Sequence, residues 1–337
     1  MGSFDVFYYI RLMRKILRVT LIIAGLILLI VAGLVVFVKT ALPHVGPPPE
    51  LSIQATPGRL ARGEYLALHV AACMDCHSQH DWGLYGGPVK PGTFGAGGEK
   101  FGQEIGFPGT VYSSNITPAA LAGWTDGELF RAITTGETRD GRALFPLMAY
   151  HNYGQSDPED IMSIIAYLRS LPAIRNEVPA RQLDFPLNIL VNTFPSRASL
   201  AKRPDSNNIV AYGKYLTIMA DCGECHSKVE KGALVAGSEY GGGRPFRFPD
   251  GTVVTSTNIT PDEETGLGEW NRSAFIRKFK QYRDSGYTPQ PVPPGGRNTV
   301  MPWLMYSGMQ EKDLAAIFAY LKTLKPIHNA VKAFAAK

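Results

Sequence analysis

A long apolar run stands near the start of the chain. From Val19 to Val38 twenty residues carry no charge, and as an α-helix they would rise about 30 Å, the thickness of a bilayer's hydrocarbon core. Basic residues cluster before this run and only Lys39 follows it closely, which predicts a cytoplasmic N-terminus. We therefore expect a single-pass anchor in a bacterial inner membrane, with the rest of the chain in the periplasm. A cleaved signal sequence is the alternative, but its apolar core is usually shorter.

After the anchor, the pattern of apolar and polar positions repeats once. Three stretches recur in the same order: residues 62–73 match 212–222, residues 107–118 match 248–261, and residues 161–171 match 314–324. The first and third have helical spacing of apolar residues. The pattern predicts a mainly α protein with a transmembrane helix followed by two similar domains. The predicted boundaries are 1–48 for the cytoplasmic start, anchor and stalk, 49–175 for the first domain, 176–208 for a linker, and 209–337 for the second domain.

A glycine occupies the same place in the first helix of each copy. Gly63 and Gly213 each precede a tyrosine by two residues, and Tyr167 and Tyr320 stand in equivalent places of the last helices. Because glycine has no side chain, it lets another backbone approach closely. We expect the first and last helices of each copy to cross at these glycines. The apolar centre of the linker, residues 183–191, is expected to pack against a domain.

The charge of the chain is uneven and gives little support to nucleic-acid binding. The net charge is +5, but residues 1–39 hold five basic side chains and one acid, which leaves 29 basic and 28 acidic groups in the rest of the chain. A nearly neutral periplasmic part lacks the clustered positive charge that attracts nucleic acid. We predict partners among redox proteins and the membrane instead.

All four cysteines fall in two Cys-x-x-Cys-His sequences. Cysteines at i and i+3 lie on one side of a helical turn, so both sulfurs can reach one edge of a haem while the histidine reaches the iron. Disulfides would not explain the histidine after each pair, and a zinc site would need four ligands gathered in one place. The sequence predicts two covalently bound haem c groups, with thioether links from Cys73, Cys76, Cys222 and Cys225 and axial ligation by His77 and His226.

The repeat also predicts the sixth ligand of each iron. An ungapped alignment of the last helices places Met148 over Met301, both the same distance before the helix. A thioether ligand favours Fe(II), raises the reduction potential and closes the iron to small molecules, as suits an electron carrier. The competing ligands are His151 and His80 in the first copy and Met305 and Met309 in the second.

The order of helix, Cys-x-x-Cys-His, methionine loop and final helix resembles class I cytochrome c, twice over. Residues 257–270 and 114–118, with the Met-Pro-Trp and Met-x-Tyr loops, are similar to the cytochrome subunits of bacterial membrane-bound alcohol and sugar-acid dehydrogenases, and the resemblance covers about 49–330. Those subunits usually carry three haem motifs, whereas this chain has two and an N-terminal span. Ala149 also replaces the proline expected after the first methionine. The resemblance implies two class I cytochrome c domains.

The resemblance further implies an electron carrier rather than an enzyme. The expected donor is a dehydrogenase or a quinol-oxidising complex, and the expected acceptor is an oxidase or a soluble cytochrome. The alternative is a dihaem enzyme, peroxidase-like or thiosulfate-oxidising, which would need an open iron or an unusual ligand. Each copy offers a methionine, and the two motifs use every cysteine, so the carrier is favoured.

Overall fold

The computed structural model describes residues 3–230 and 232–335. The helices are α1 (Ser3–Ala41), α2 (Pro57–Tyr65), α3 (Cys73–Cys76), α4 (Pro118–Leu121), α5 (Asp126–Thr135), α6 (Tyr150–Tyr153), α7 (Pro158–Ser170), α8 (Leu187–Leu190), α9 (Ile209–Met219), α10 (Cys222–Cys225), α11 (Arg272–Lys280), α12 (Trp303–Tyr306) and α13 (Glu311–Leu321). Leu66–Val70 is π-helical, and Gln103–Ile105 and Val191–Thr193 are 3-10 turns. The strands are β1 (Lys100–Phe101), β2 (Gly109–Tyr112), β3 (Gln182–Leu183), β4 (Val229–Glu230), β5 (Ala233–Leu234), β6 (Pro245–Arg247), β7 (Val253–Thr255) and β8 (Phe334–Ala335).

Helix α1 contains the apolar run and stands apart from the rest of the fold. Among the described residues it is the one helix long and apolar enough to cross a membrane, over Phe7–Ala41. Its large apolar side chains are exposed along the helix, as a lipid-facing helix requires. Its last turns contact α8, and the Asn192 side-chain amide donates to the Val38 carbonyl at 3.3 Å.

Two repeats, residues 57–170 and 209–321, have the same helical framework. In each, the first helix packs across the last, α2 on α7 and α9 on α13. A Cβ at Gly63 would overlap the backbone carbonyl of Ser163, and a Cβ at Gly213 would overlap that of Ala316. The expectation of two close glycine crossings is confirmed.

The two repeats differ by one residue just before the cysteines. Residues 62–73 contain one residue more than residues 212–222, and the structure places the excess in the π-helical segment Leu66–Val70. A π-bulge is the usual way for a helix to absorb one extra residue. It puts His69 against the second repeat, where its Nδ1 donates to the Met305 carbonyl at 2.9 Å.

Equivalent tyrosines join the two repeats to each other. The Tyr65 hydroxyl on α2 donates to Asp313 on α13 at 2.6 Å, and the Tyr215 hydroxyl on α9 donates to Asp160 on α7 at 2.7 Å. Each tyrosine thus reaches the start of the other repeat's last helix. One cluster of buried side chains runs through both repeats.

The predicted linker lies on the first repeat for much of its length. Strand β3 pairs antiparallel with β2, with Leu183 opposite Gly109. Val191 is buried, whereas Phe185 is largely exposed. Farther on, Ser199 donates its amide to the Gly154 carbonyl at 2.8 Å. The expectation that the apolar centre packs against a domain is confirmed.

Candidate haem site

One large cavity is lined by residues of both repeats. Its volume is about 1280 Å³, larger than the roughly 300–1,000 Å³ of an ordinary small-molecule site. The structure brings every predicted site residue to its wall, namely Cys73, Cys76, His77 and Met148 from the first repeat and Cys222, Cys225, His226 and Met301 from the second. The cavity therefore combines two similar half-sites.

Each cysteine pair occupies a single helical turn, α3 or α10. The residue before each turn has left-handed backbone, with φ of 48° at Ala72 and 56° at Asp221. This conformation is unfavourable for residues with a side chain, by roughly 1–2 kcal/mol, so its recurrence at equivalent positions indicates a required chain reversal. The reversal starts a new turn at the first cysteine and aims both sulfurs at the cavity.

No disulfide joins the four cysteines in the described part of the chain. Burial raises the pKa of Cys73, Cys222 and Cys225 to about 12, because a thiolate is poorly solvated inside the protein. These thiols are therefore neutral, which suits the mostly apolar wall of the cavity.

The two histidines are oriented in the same way. The Nδ1 of His77 donates to the Ser114 carbonyl and the Nδ1 of His226 donates to the Thr257 carbonyl, each at 2.7 Å. Both carbonyls belong to the residue immediately before the repeated Asn-Ile-Thr-Pro stretch. Enclosure lowers the pKa of both imidazoles. A neutral ring held at Nδ1 keeps Nε2 available as a metal ligand.

Met148 and Met301 take equivalent positions at the cavity wall. The Met148 carbonyl accepts the Tyr150 amide and the Met301 carbonyl accepts the Trp303 amide, each at 2.7 Å. Each methionine lies two residues before a short helix, α6 or α12. The backbone hydrogen bonds therefore agree with the alignment that placed Met148 and Met301 at equivalent positions.

The competing ligands are placed less favourably, with one exception. His80 is buried between Asp75 and Glu99, at 3.5 and 3.4 Å, and these carboxylates raise its pKa to about 9 against the effect of burial. His151 lies 3.2 Å from the Ser196 hydroxyl on the surface. Neither His80, His151 nor Met305 is among the residues that line the cavity in the described structure, whereas the buried Met309 does line it.

The cavity has the chemistry that a haem needs. Its wall is mostly apolar, which suits the macrocycle, and includes Leu129, Ile164, Leu168, Leu267, Phe275 and Ile317. Arg142, Arg181 and Arg297 add positive charge. Burial and the neighbouring Arg142 lower the pKa of Arg181, so an anion there would relieve a repulsion. The two propionates of a haem are such anions.

Several cavity residues were missed by the sequence reasoning. Tyr153 and Tyr306 line the cavity and donate their hydroxyls to the Ala71 and Ala220 carbonyls at 3.2 and 2.7 Å, just before the cysteine turns. They tie the methionine side of each half-site to its cysteine side. The alignment that found Met148 also pairs these tyrosines, and this signal could have found them.

A bond between the repeats lies beside the second cysteine turn. The Asn152 amide donates to Asp221 at 2.5 Å. Burial, with the nearby Glu224, raises the pKa of Asp221 to about 7 even though Asn152 lowers it. This contact joins α6 of the first repeat to the residue that precedes the second cysteine turn.

The two half-sites differ in charge at the surface. Helix α11 carries the exposed residues Arg272, Arg277 and Lys278, and Lys278 lines the cavity. The equivalent helix of the first repeat, α5, begins with Asp126 and Glu128. Helix α11 therefore presents exposed positive charge that α5 does not.

Comparison with known proteins identifies relatives over most of the chain. The cytochrome c subunit of alcohol dehydrogenase (quinone) from Komagataeibacter europaeus is 30% identical over 288 residues, which is 79% of this chain and 56% of that protein. The fructose dehydrogenase cytochrome subunit of Gluconobacter japonicus is 28% identical over 284 residues, 79% of this chain and 52% of that protein. The chain is a relative of dehydrogenase cytochrome c subunits. It spans little more than half the length of these two proteins.

A further relative matches nearly end to end. The diheme cytochrome c-type of Cereibacter sphaeroides is 28% identical over 319 residues, 90% of this chain and 98% of that protein. No family model matches the chain. The predicted resemblance to c-type cytochromes of dehydrogenases is confirmed, and these relatives support the prediction of an electron carrier.

Proposed function

We propose that the chain is a membrane-anchored dihaem cytochrome c, made of two class I cytochrome c domains. It relays electrons from a dehydrogenase or a quinol-oxidising complex to an oxidase or a soluble cytochrome. The observation that carries the proposal is the matched pair of half-sites, each with two cysteines, an oriented histidine and a methionine at one cavity. The end-to-end match to a diheme cytochrome supports the same number of cofactors.

The residues of each half-site have separate roles in this proposal. Cys73 and Cys76 would hold the first haem by thioether bonds, and Cys222 and Cys225 the second. A bound haem c supplies a one-electron Fe(II)/Fe(III) couple. The carbonyls of Ser114 and Thr257 accept the Nδ1 protons of His77 and His226, which would orient each ring to bind iron through Nε2.

Two methionines close the sites in the proposed carrier. Met148 and Met301 would occupy the sixth positions and exclude water and small molecules from the irons. The apolar wall keeps each site dry, and Arg142, Arg181 and Arg297 would neutralise propionates. A closed site of this kind supports electron transfer and leaves no position for a substrate.

The location follows from the anchor. We propose that α1 spans the inner membrane once, with the basic residues Arg11, Arg14, Lys15 and Arg18 on the cytoplasmic side. The repeats would then lie in the periplasm, close to the membrane surface. The hydrogen bond from Asn192 to the Val38 carbonyl near the end of α1 supports this placement of the first repeat.

The test replaces each methionine in the haem-loaded protein. Met148→Ala and Met301→Ala should each open one iron, which magnetic circular dichroism would show as a new high-spin fraction with carbon monoxide binding at that haem alone. Replacement by His should keep the haem low-spin and lower its potential, because imidazole favours Fe(III) more than a thioether does.

Met305→Ala is the matched control, because Met305 follows Met301 by four residues but does not line the cavity in the described structure. It should leave both spectra unchanged. A wild-type protein that binds carbon monoxide readily at either haem would contradict the carrier and favour a dihaem enzyme. If Met148→Ala or Met301→Ala leaves the spin state and carbon monoxide binding as in wild type, that methionine is not an iron ligand.

A further inference from the structure

A loop of the first repeat rests on the methionine loop of the second. The Tyr85 amide donates to the Gln290 carbonyl and the Val292 amide donates to the Gly83 carbonyl, each at 2.8 Å. The Trp82 ring packs edge-on against Phe248 at a centroid distance of 5.7 Å. Residues 82–86 are therefore held against the segment that leads to Met301.

The side chain of Asn298 stabilises this contact through hydrogen bonds from both its Oδ1 and its Nδ2 atom. Its Oδ1 accepts the amides of Gly86 and Thr299 at 2.9 and 2.8 Å. Its Nδ2 donates to the carbonyls of Trp82 and Leu84 at 3.0 and 3.4 Å. Asn298 is only 4% exposed, and loss of its amide would leave backbone groups of both repeats without these partners.

The next residue carries the constraint to the methionine. The Thr299 hydroxyl accepts the Met301 amide at 3.1 Å, and the Met301 carbonyl accepts the Trp303 amide at 2.7 Å. Both sides of the Met301 backbone are thus fixed. Asn298 and Thr299 therefore connect the Met301 backbone by hydrogen bonds to residues 82–86 of the first repeat.

The first repeat anchors its methionine loop differently. The residue that aligns with Asn298 is Phe145, whose ring packs against Phe107 at 4.7 Å and Phe194 at 6.1 Å. These contacts lie within the first repeat and the linker. The hydrogen bonds of Asn298 are therefore specific to the second half-site and have no equivalent in the first repeat.

We propose that Asn298 is a positioning residue that holds Met301 in place as the sixth ligand of the second haem, by tying its loop to residues 82–86 of the first repeat. The inference rests on the proposed function, since it takes Met301 to be an iron ligand. Its consequence is that ligation at the second haem depends on the first repeat, whereas ligation at the first haem has no such dependence on Asn298.

The experiment compares Asn298→Ala, Thr299→Val and Met301→Ala in the full-length, haem-loaded protein. The readouts are the near-infrared sulfur-to-iron charge-transfer band of the oxidised protein and carbon monoxide binding after reduction. Met148→Ala and Met301→Ala assign each signal to its haem. Asn208→Ala is the control for loss of an asparagine side-chain amide elsewhere in the second repeat, because the exposed Asn208 Oδ1 accepts the Ala211 amide at 3.3 Å and does not contact the Met301 loop.

Asn298→Ala should weaken the charge-transfer band of the second haem and raise its carbon monoxide-binding fraction several-fold, leaving the first haem and the Asn208→Ala spectrum as in wild type. If Met301→Ala opens the second haem but Asn298→Ala leaves it closed, the inference is wrong and the proposed function stands. If Met301→Ala changes nothing, the ligand assignment itself fails. Should Asn298→Ala not fold, Thr299→Val decides, because it removes only the bond to Met301, and an unchanged spectrum would overturn the proposed route.

Discussion

The tyrosine contacts between the repeats provide a matched pair of perturbations. Tyr65→Phe removes the hydroxyl that donates to Asp313, and Tyr215→Phe removes the one that donates to Asp160. Both aspartates are buried, at 1% and 0% exposure. The two substitutions delete the same atom at equivalent places, so they differ only in what remains around each carboxylate.

The remaining partners differ greatly. Asp160 keeps the guanidinium groups of Arg62 and Arg203, at 2.7 and 2.6 Å. The Oδ1 of Asp313 is buried with no hydrogen-bond partner in the described structure, so Tyr65 supplies the side-chain hydrogen bond of that carboxylate. A hydrogen bond to a charged group contributes about 1.5–3 kcal/mol, and leaving its partner unpaired costs the full desolvation penalty.

We therefore expect Tyr65→Phe to lower the free energy of unfolding by about 2–3 kcal/mol and Tyr215→Phe by about 1 kcal/mol or less. With an unfolding entropy of about 2.1 cal/mol/K per residue, each kcal/mol corresponds to roughly 1–2 °C of melting temperature for a chain of 337 residues. The assay is thermal unfolding of the detergent-solubilised, haem-loaded protein, followed by far-ultraviolet circular dichroism. An equal loss in both variants, or a larger loss in Tyr215→Phe, would refute the argument from unpaired carboxylates.

Two other predictions concern topology and surface charge. Protease added to spheroplasts should digest both repeats, because the charges around α1 predict that the repeats lie outside the cytoplasm; complete protection would contradict that orientation. Arg277→Glu with Lys278→Glu should slow oxidation of the reduced protein by ferricyanide, an anion, at low ionic strength, since both side chains are exposed on α11 and Lys278 lines the cavity. Stopped-flow rates with a neutral acceptor should stay at the wild-type value, and an equal slowing there would show damage to the haem site instead.

Much of the framework was readable from the sequence because it depends on local patterns. Apolar spacing marked the helices, and one residue type, glycine, marked both crossings, where a Cβ at Gly63 or Gly213 would overlap a backbone carbonyl. The cysteine and histidine residues share one turn, so their spacing alone places them together. The alignment of the repeats predicted equivalent roles for Met148 and Met301, and the structure places both at the wall of one cavity with His77 and His226.

The rest depends on contacts that no local pattern records. The π-helical segment was visible as one extra residue, but its shape was not, and neither was the contact of His69 with Met305. Asn298 bonds to residues more than two hundred positions earlier, and the repeat offers no counterpart. Contacts between the repeats depend on how the two folded repeats pack against each other, so they cannot be predicted from the sequence of each repeat by itself.

The count of covalently bound haems tests the central claim most directly. The chain should be denatured and extracted with acidified organic solvent, which removes haem that is not covalently attached, and then measured by the pyridine haemochrome assay against protein concentration. We predict two haems per chain in the wild type and one in Cys222→Ser, Cys225→Ser double-substituted protein. One haem or none in the wild type would contradict the account of two matched half-sites.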